Sequence, residues 1–151
     1  MDVYIVGVNH RIQWWPSSPG AEWTKRLLEL PGYLEDACGC LQIELLAEEL
    51  NEEALRISNS RRCTGQSVAN SRGISHRFCD PDSKERNSLG VSCDEQRMRI
   101  WLQRIVAAEG NRVLFLCGDD HVGEFATLLQ KEGHQVQTLS QGWGRNWELV
   151  D

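Results

Sequence analysis

The chain reads as a three-layer α/β protein, with a mostly parallel sheet of about five strands flanked by helices, and three observations predict this. Val3-Tyr4-Ile5-Val6 and Val113-Leu114-Phe115-Leu116-Cys117 are short apolar runs rich in β-branched and aromatic residues, as strands buried on both faces require. Segments with apolar residues at helical spacing alternate with such runs, which is the pattern of strand–helix–strand crossovers. Each of the two runs leads straight into the same motif, Gly7-Val8-Asn9-His10 and Gly118-Asp119-Asp120-His121. With 151 residues and 40% hydrophobic content, residues 1–151 make a single domain whose core needs no disulfide or metal to form.

Taken in order, the strand at 3–8 enters a Trp14-Trp15-Pro16 loop. Ser18 and Pro19 suit the N-cap and first position of a helix that carries Trp23, Leu27 and Leu30 on one face, and Pro31-Gly32 predicts its end. Leu41 to Ala47 is a second strand-like run that closes on Glu48-Glu49, and Asn51 can cap a helix through about residue 59. Residues 60–72 are polar and give no clear element. A weaker strand over Ile74–Cys79 stops at the turn signature Asp80-Pro81-Asp82. Ser92-Cys93-Asp94-Glu95 has the form of a capping box, followed by Met98, Trp101, Leu102, Ile105 and Val106 along one helical face. After the strand at 113–117, Val122, Phe125, Ala126 and Leu129 repeat that stripe, with Gly133 as the C-terminal stop. A last strand near 135–139 leaves Trp143 and Trp147 to pack back onto the domain.

Charge and cysteine usage narrow the function classes. A net charge of −6 and a pI near 5.2 disfavour nucleic acid as a partner. No apolar stretch approaches membrane-spanning length and Asp2 precedes a strand-like run, so the expectation is a cytoplasmic protein with no membrane partner. Its six cysteines are then free thiols rather than a disulfide framework, and Cys38-Gly39-Cys40 is too tight, and without a second pair, for a zinc knuckle.

The chemistry lies at the strand ends, because ligands of open α/β sheets bind beyond the carboxyl edge. The four principal strands end at His10, at Glu48-Glu49, at Asp80, and at Asp119, Asp120 and His121. Two histidines and several carboxylates on one edge form a mixed nitrogen and oxygen donor set, with His10, Glu48, Glu49 and His121 the candidate ligands of a divalent ion such as Mn²⁺, Zn²⁺ or Co²⁺. Strand alternation sends only one of Glu48 and Glu49 into the crevice. A structural reading stays open beside this one: Asp120 can cap the helix that follows, and Glu48 and Glu49 can complement a helix dipole. Between Glu53 and Asp80 there is no acid, whereas Arg56, Arg61, Arg62, Arg72 and Arg77 fall there, a basic stretch suited to a small anionic ligand.

These motifs resemble the TraB/Tiki-like family and its wider superfamily, which includes ChaN-like haem-binding lipoproteins and erythromycin esterases. Glu49-Leu50-Asn51-Glu52 is similar to that family's Glu-Leu-Asp-Glu segment, Asp80 followed by Arg86 to its Asp-Arg…Arg segment, and residues 113–122 to its second Gly-x-x-His with the apolar lead-in. The chain departs from the pattern at Val8, where the family has Thr or Ser, and lacks most of the family's helical insert. The resemblance implies a compact core with a hydrolytic or divalent-metal site. It would be built on His10, Glu48 or Glu49, and His121, with Asp80 and Arg86 nearby; we take His10, Glu49, His121 and Asp80 as the catalytic candidates, Arg86 as a substrate contact, and Arg77 of the basic stretch as a second one. Two other readings of the same edge are a nucleophilic Cys117 ahead of a helix N-terminus, and a non-catalytic ligand-binding or protein-interaction module with Trp14 and Trp15 as anchors.

Overall fold

A computed structural model of the chain describes residues 1–9, 13, 21–60 and 63–143, and for residues 21–28 the helical backbone alone. The elements in order are β1 (Asp2–Val8), α1 (Ala21–Cys40), β2 (Leu45–Glu48), α2 (Glu52–Ile57), α3 (Thr64–Arg72), β3 (Ser75–Phe78), α4 (Ser83–Leu89), α5 (Asp94–Ala107), β4 (Arg112–Gly118), a 3₁₀ turn (Asp119–His121), α6 (Val122–Lys131) and β5 (Gln135–Trp143). The strands form one five-stranded sheet in the order β3-β2-β4-β1-β5, and every neighbouring pair is parallel. Helices cover both faces, which is the three-layer arrangement the apolar runs predict.

Burial separates the strands as their sequences require. From Val3 to Val8 only Tyr4 of β1 is partly exposed, all of β2 is buried, and β4 is buried from Val113 onward. The polar strands β3 and β5 form the two edges. One face packs Val3, Ile5, Leu45, Ala47, Val113 and Phe115 against Trp101 and Ile105 of α5 and Phe125 and Leu129 of α6. The other packs Val6, Val8, Leu46, Leu114 and Leu116 against Leu30, Leu34 and Cys38 of α1 and Val68 and Ala69 of α3.

This division follows from crossover handedness. The steps β1→β2 and β2→β3 run one way along the sheet with α1 and α3 on one face; β3→β4 and β4→β5 run back with α5 and α6 on the other. The connections that leave β2 and its neighbour β4 therefore diverge to opposite faces. In open α/β sheets such a divergence, beyond the carboxyl ends of the strands, is where ligands bind.

Several local expectations give way to packing. The first helix does not stop at Pro31-Gly32 but runs on to Cys40. Proline inside a helix costs about 3 kcal/mol, yet Leu30, Leu34 and Cys38 recur every fourth residue and are all buried. Burying each leucine contributes about 1.5–3 kcal/mol, which outweighs the loss. The polar stretch at 60–72 yields α3, anchored by Val68 and Ala69 and stopped by Gly73 in the left-handed region (φ 66°). The capping box at Ser92 is not made, because α5 starts at Asp94 with Cys93 as cap and Ser92 lies one residue too early; its N–H and hydroxyl both donate to Gln96 Oε1. A capping box forms instead at Asp82 and Glu85, opening α4. Asp120 is not the N-cap residue of α6: the 3₁₀ turn carries the chain into the helix and His121 holds that position. Trp143 ends β5 and stacks on Tyr33, with ring centroids 4.8 Å apart. Trp14, Trp15, Ser18, Pro19 and Trp147 lie outside the described residues.

Gly7 marks the tightest approach between β1 and the α6 layer. A β-carbon there would stand 2.6 Å from Val122 Cγ2 and 2.8 Å from Asp119 Oδ1. Overfilling a packed site typically costs about 1–3 kcal/mol. Gly7→Ala should therefore lower unfolding stability by about that amount in denaturant titration, and an unchanged midpoint would show that the start of α6 yields freely.

Candidate functional site at the carboxyl edge

Glu48 ends the interior strand β2 and Glu49 follows it, and both are buried, at 0% and 4% exposure. Glu48 shares the face of Leu46 and Glu49 that of Leu45 and Ala47, so the two carboxylates leave the sheet in opposite directions. As strand alternation predicts, only one of the pair, Glu49, lies on the side of His121. Each enters its own cluster.

Glu49 faces α5 and α6. Its Oε2 accepts from the Gly118 backbone N–H at 2.7 Å, and its Oε1 accepts from Arg97 Nη2 at 2.8 Å and lies 3.5 Å from His121 Nε2. Arg97 also donates Nε and Nη2 to Asp80 Oδ1 at 3.1 and 2.9 Å and Nη1 to Asp94 Oδ1 at 2.8 Å. Asp80 Oδ1 accepts in addition from Trp101 Nε1 at 2.9 Å, and its Oδ2 from Arg86 Nη2 at 2.7 Å. Burial works to lower the Arg97 pKa, but Asp80, Asp94 and Glu49 outweigh it and hold the guanidinium charged. The bond from Arg97 keeps the Asp94 carboxyl below its usual range. Behind this network the Trp101 ring meets His121 edge-on at 5.7 Å and packs on Phe115 and Phe125. The guanidinium of Arg97 sits 5.3 Å from the Trp101 ring centroid, within cation–π range.

Glu48 faces α3 and β3. Its Oε1 accepts from Gln13 Nε2 at 3.2 Å; its Oε2 accepts from Cys63 Sγ at 2.7 Å and meets His76 Nε2 at 2.5 Å. A side chain at Gly65 would fall within 2.5–2.7 Å of the Glu48 carboxylate, so glycine is what admits it. Burial pushes the Cys63 thiol well up, reinforced by the charge of Glu48 and opposed by backbone N–H groups of Gln66 and Gly65. The donor atoms of Glu48, Cys63 and His76 lie within 4.8 Å of one another, a group able to hold a metal ion.

Of the residues the sequence singles out, Glu49, His121, Asp80 and Arg86 come together. His10 lies outside the described residues. Glu48 does not join His121 in one ligand set, because alternation along β2 turns it to the other face. Arg77 is exposed on edge strand β3, on the face of Ala47 rather than at the strand end. The basic stretch does not gather into one patch among the described residues: Arg56 lies on α2 and Arg72 against Gly39 of α1. Cys117 is fully buried, and burial together with Glu49 drives its thiol well up, so the nucleophile reading fails. Sequence reasoning missed Arg97, Trp101, Cys63, His76 and Gln13 as site residues. Only Asp94-x-x-Arg97-x-x-x-Trp101 carried a local signal, an ion pair and an aromatic stacked on successive turns.

No helix among the described residues is long and apolar enough to cross a membrane. Comparison of the chain with models of known families, with curated proteins and with solved structures finds no match.

Three outcomes follow from this geometry. Arg97→Leu removes the buried cation shared by Glu49 and Asp80 and should destabilise the fold by about 3–5 kcal/mol in denaturant titration, whereas a loss below about 1 kcal/mol would show the network to be dispensable. Of the six thiols only Cys40 and Cys93 are exposed, so native titration with a thiol reagent should count two, the remainder reacting after unfolding. Burial raises the Cys38 thiol to about 11 and Cys79 to about 12 from an ordinary 9.0. Unfolded thiols therefore ionise first as pH rises. The stability they contribute is complete below about pH 9 and is lost toward pH 11–12; a flat stability profile across that window would contradict the assignment.

Proposed function

We propose that the chain is a small hydrolase that works by acid–base chemistry at the carboxyl edge of the sheet, with the TraB/Tiki-like affiliation as part of the same reading. The observation that carries it is the approach of His121 Nε2 to Glu49 Oε1 at 3.5 Å, in a crevice where Glu49 is fixed from two other sides. A carboxylate beside one imidazole nitrogen sets its tautomer and favours the imidazolium that forms when the ring takes a proton. His121, with 18% of its side chain exposed against 3% for Glu49, is the member that water can reach. It is the general base in this reading and Glu49 its orienting partner.

Arg97 is a positioning residue, because its donors are committed to Asp80, Asp94 and Glu49. Arg86 keeps 40% of its side chain exposed while anchored to Asp80, and so offers a cation to a small anionic substrate. A divalent ion (Mn²⁺, Zn²⁺ or Co²⁺) held by Glu49 and His121 is the weaker version of this site, since both oxygens of Glu49 already accept strong donors. A non-catalytic binding module using the same crevice would keep the Arg86 contact and lack turnover.

Panels of ester, amide and phosphoester substrates test the reading. Turnover is expected on at least one panel, and Glu49→Gln and His121→Asn should each lower kcat/KM by about 10²–10⁴. Turnover untouched by His121→Asn, or absent from every panel, would refute it.

A further inference from the structure

We propose that Glu48, Cys63 and His76 form a zinc-binding site on the α1–α3 side of β2, separate from the Glu49–His121 crevice. A thiol and an imidazole converge on one carboxylate oxygen, Glu48 Oε2, so three donors of different chemistry meet. Thiolate and imidazole together select a borderline-soft ion such as Zn²⁺ over Mg²⁺ or Mn²⁺, which prefer oxygen alone.

The surroundings are organised around that oxygen. Gln13 Nε2 takes the other one, Oε1, at 3.2 Å and so turns Oε2 toward the cysteine and histidine, as groups outside a metal's ligand shell commonly do. Cys63 occupies the N-cap position of α3, and that placement brings its Sγ to within 2.7 Å of Glu48 Oε2. Gly65 leaves the space that the carboxylate fills. Cys63 and Glu48 are buried, and His76, with 9% of its side chain exposed, forms the rim by which an ion enters.

The donor spacing suits a small tetrahedral ion after a modest expansion. Metal–ligand bonds of about 2.0–2.3 Å set neighbouring ligand atoms roughly 3.3–3.6 Å apart, against 2.5 and 2.7 Å for the hydrogen-bonded pairs here. Separating each pair by about 1 Å brings them to that spacing. On binding, Zn²⁺ takes the place of the Cys63 thiol proton, which passes to solvent, and His76 binds as neutral imidazole. No electron is transferred. Three protein ligands leave a fourth position for water.

Zinc titration of the full chain, followed by calorimetry and X-ray absorption, decides the matter. One equivalent should bind, with a single sulfur at about 2.3 Å and nitrogen or oxygen neighbours at about 2.0–2.1 Å. Cys63→Ser and His76→Asn should each weaken binding by more than about 100-fold, and Gln13→Ala by about 10–100-fold. His121→Asn should bind as the wild type does, which separates this site from the hydrolytic one. Absence of binding, a spectrum with no sulfur or with two, or full affinity in Cys63→Ser would overturn the proposal. The absorption measurement needs only the wild-type chain, so it decides even where a variant fails to fold.

Discussion

Two adjacent carboxylates buried at the end of a central strand are the constraint on which this structure depends. Moving an ionised carboxylate out of water costs several kcal/mol unless donors replace the hydration shell. Because successive side chains alternate, no single cluster can serve Glu48 and Glu49 together. Both faces of the sheet must therefore supply donors at the same level, and they do so with different chemistry. On one side α5 brings Arg97 and β4 ends in the Gly118 N–H. On the other, Gln13, Cys63 and His76 close on Glu48.

The α5 side ties this polar edge to the apolar core through Trp101. Its indole N–H donates to Asp80 while its ring is fully buried among Phe115, Phe125 and His121. Asp80 Oδ1 accepts from Trp101 and Arg97, and Oδ2 from Arg86, so three residues on two helices meet at one carboxylate. Groups that share acceptors in this way do not contribute independently. Truncating Trp101 would loosen Asp80, and through it the guanidinium that holds Glu49. The core therefore acts on the site by fixing where α5 lies, more than by its own buried area.

The sequence made the central strands legible because β1 and β4 are continuous apolar runs, and it made α5 and α6 legible because their stripes keep helical period. It also indicated Asp80 with Arg86, six residues apart within one turn-and-helix segment. What it hid was nonlocal. Arg97 meets Glu49 across 48 positions, and Cys63 and His76 meet Glu48 across 15 and 28, so no local spacing announces either cluster. α1 passed its proline because burial of Leu30 and Leu34 overrides a local stop signal, and that burial is known only once the sheet is assembled. The cap near residue 92 failed for the opposite reason: the motif was local, but the helix began one residue later than the motif requires.

Rigidity at this edge comes from the backbone as much as from the side chains. The Glu49 N–H donates to Leu116 O at 2.8 Å and the Cys79 N–H to Glu48 O at 2.9 Å, so the peptide between the two acids is held by both neighbouring strands. Gln13 spans the pair, with Nε2 3.2 Å from Glu48 Oε1 and 3.4 Å from the Glu49 carbonyl. A group placed on strand ends and braced in this way is positioned before any ligand arrives, which is what binding and proton transfer both require. The same bracing means that neither carboxylate can swing toward the other face without breaking ladder bonds. Two chemically distinct clusters can therefore stand one peptide apart at the end of β2 and remain separate.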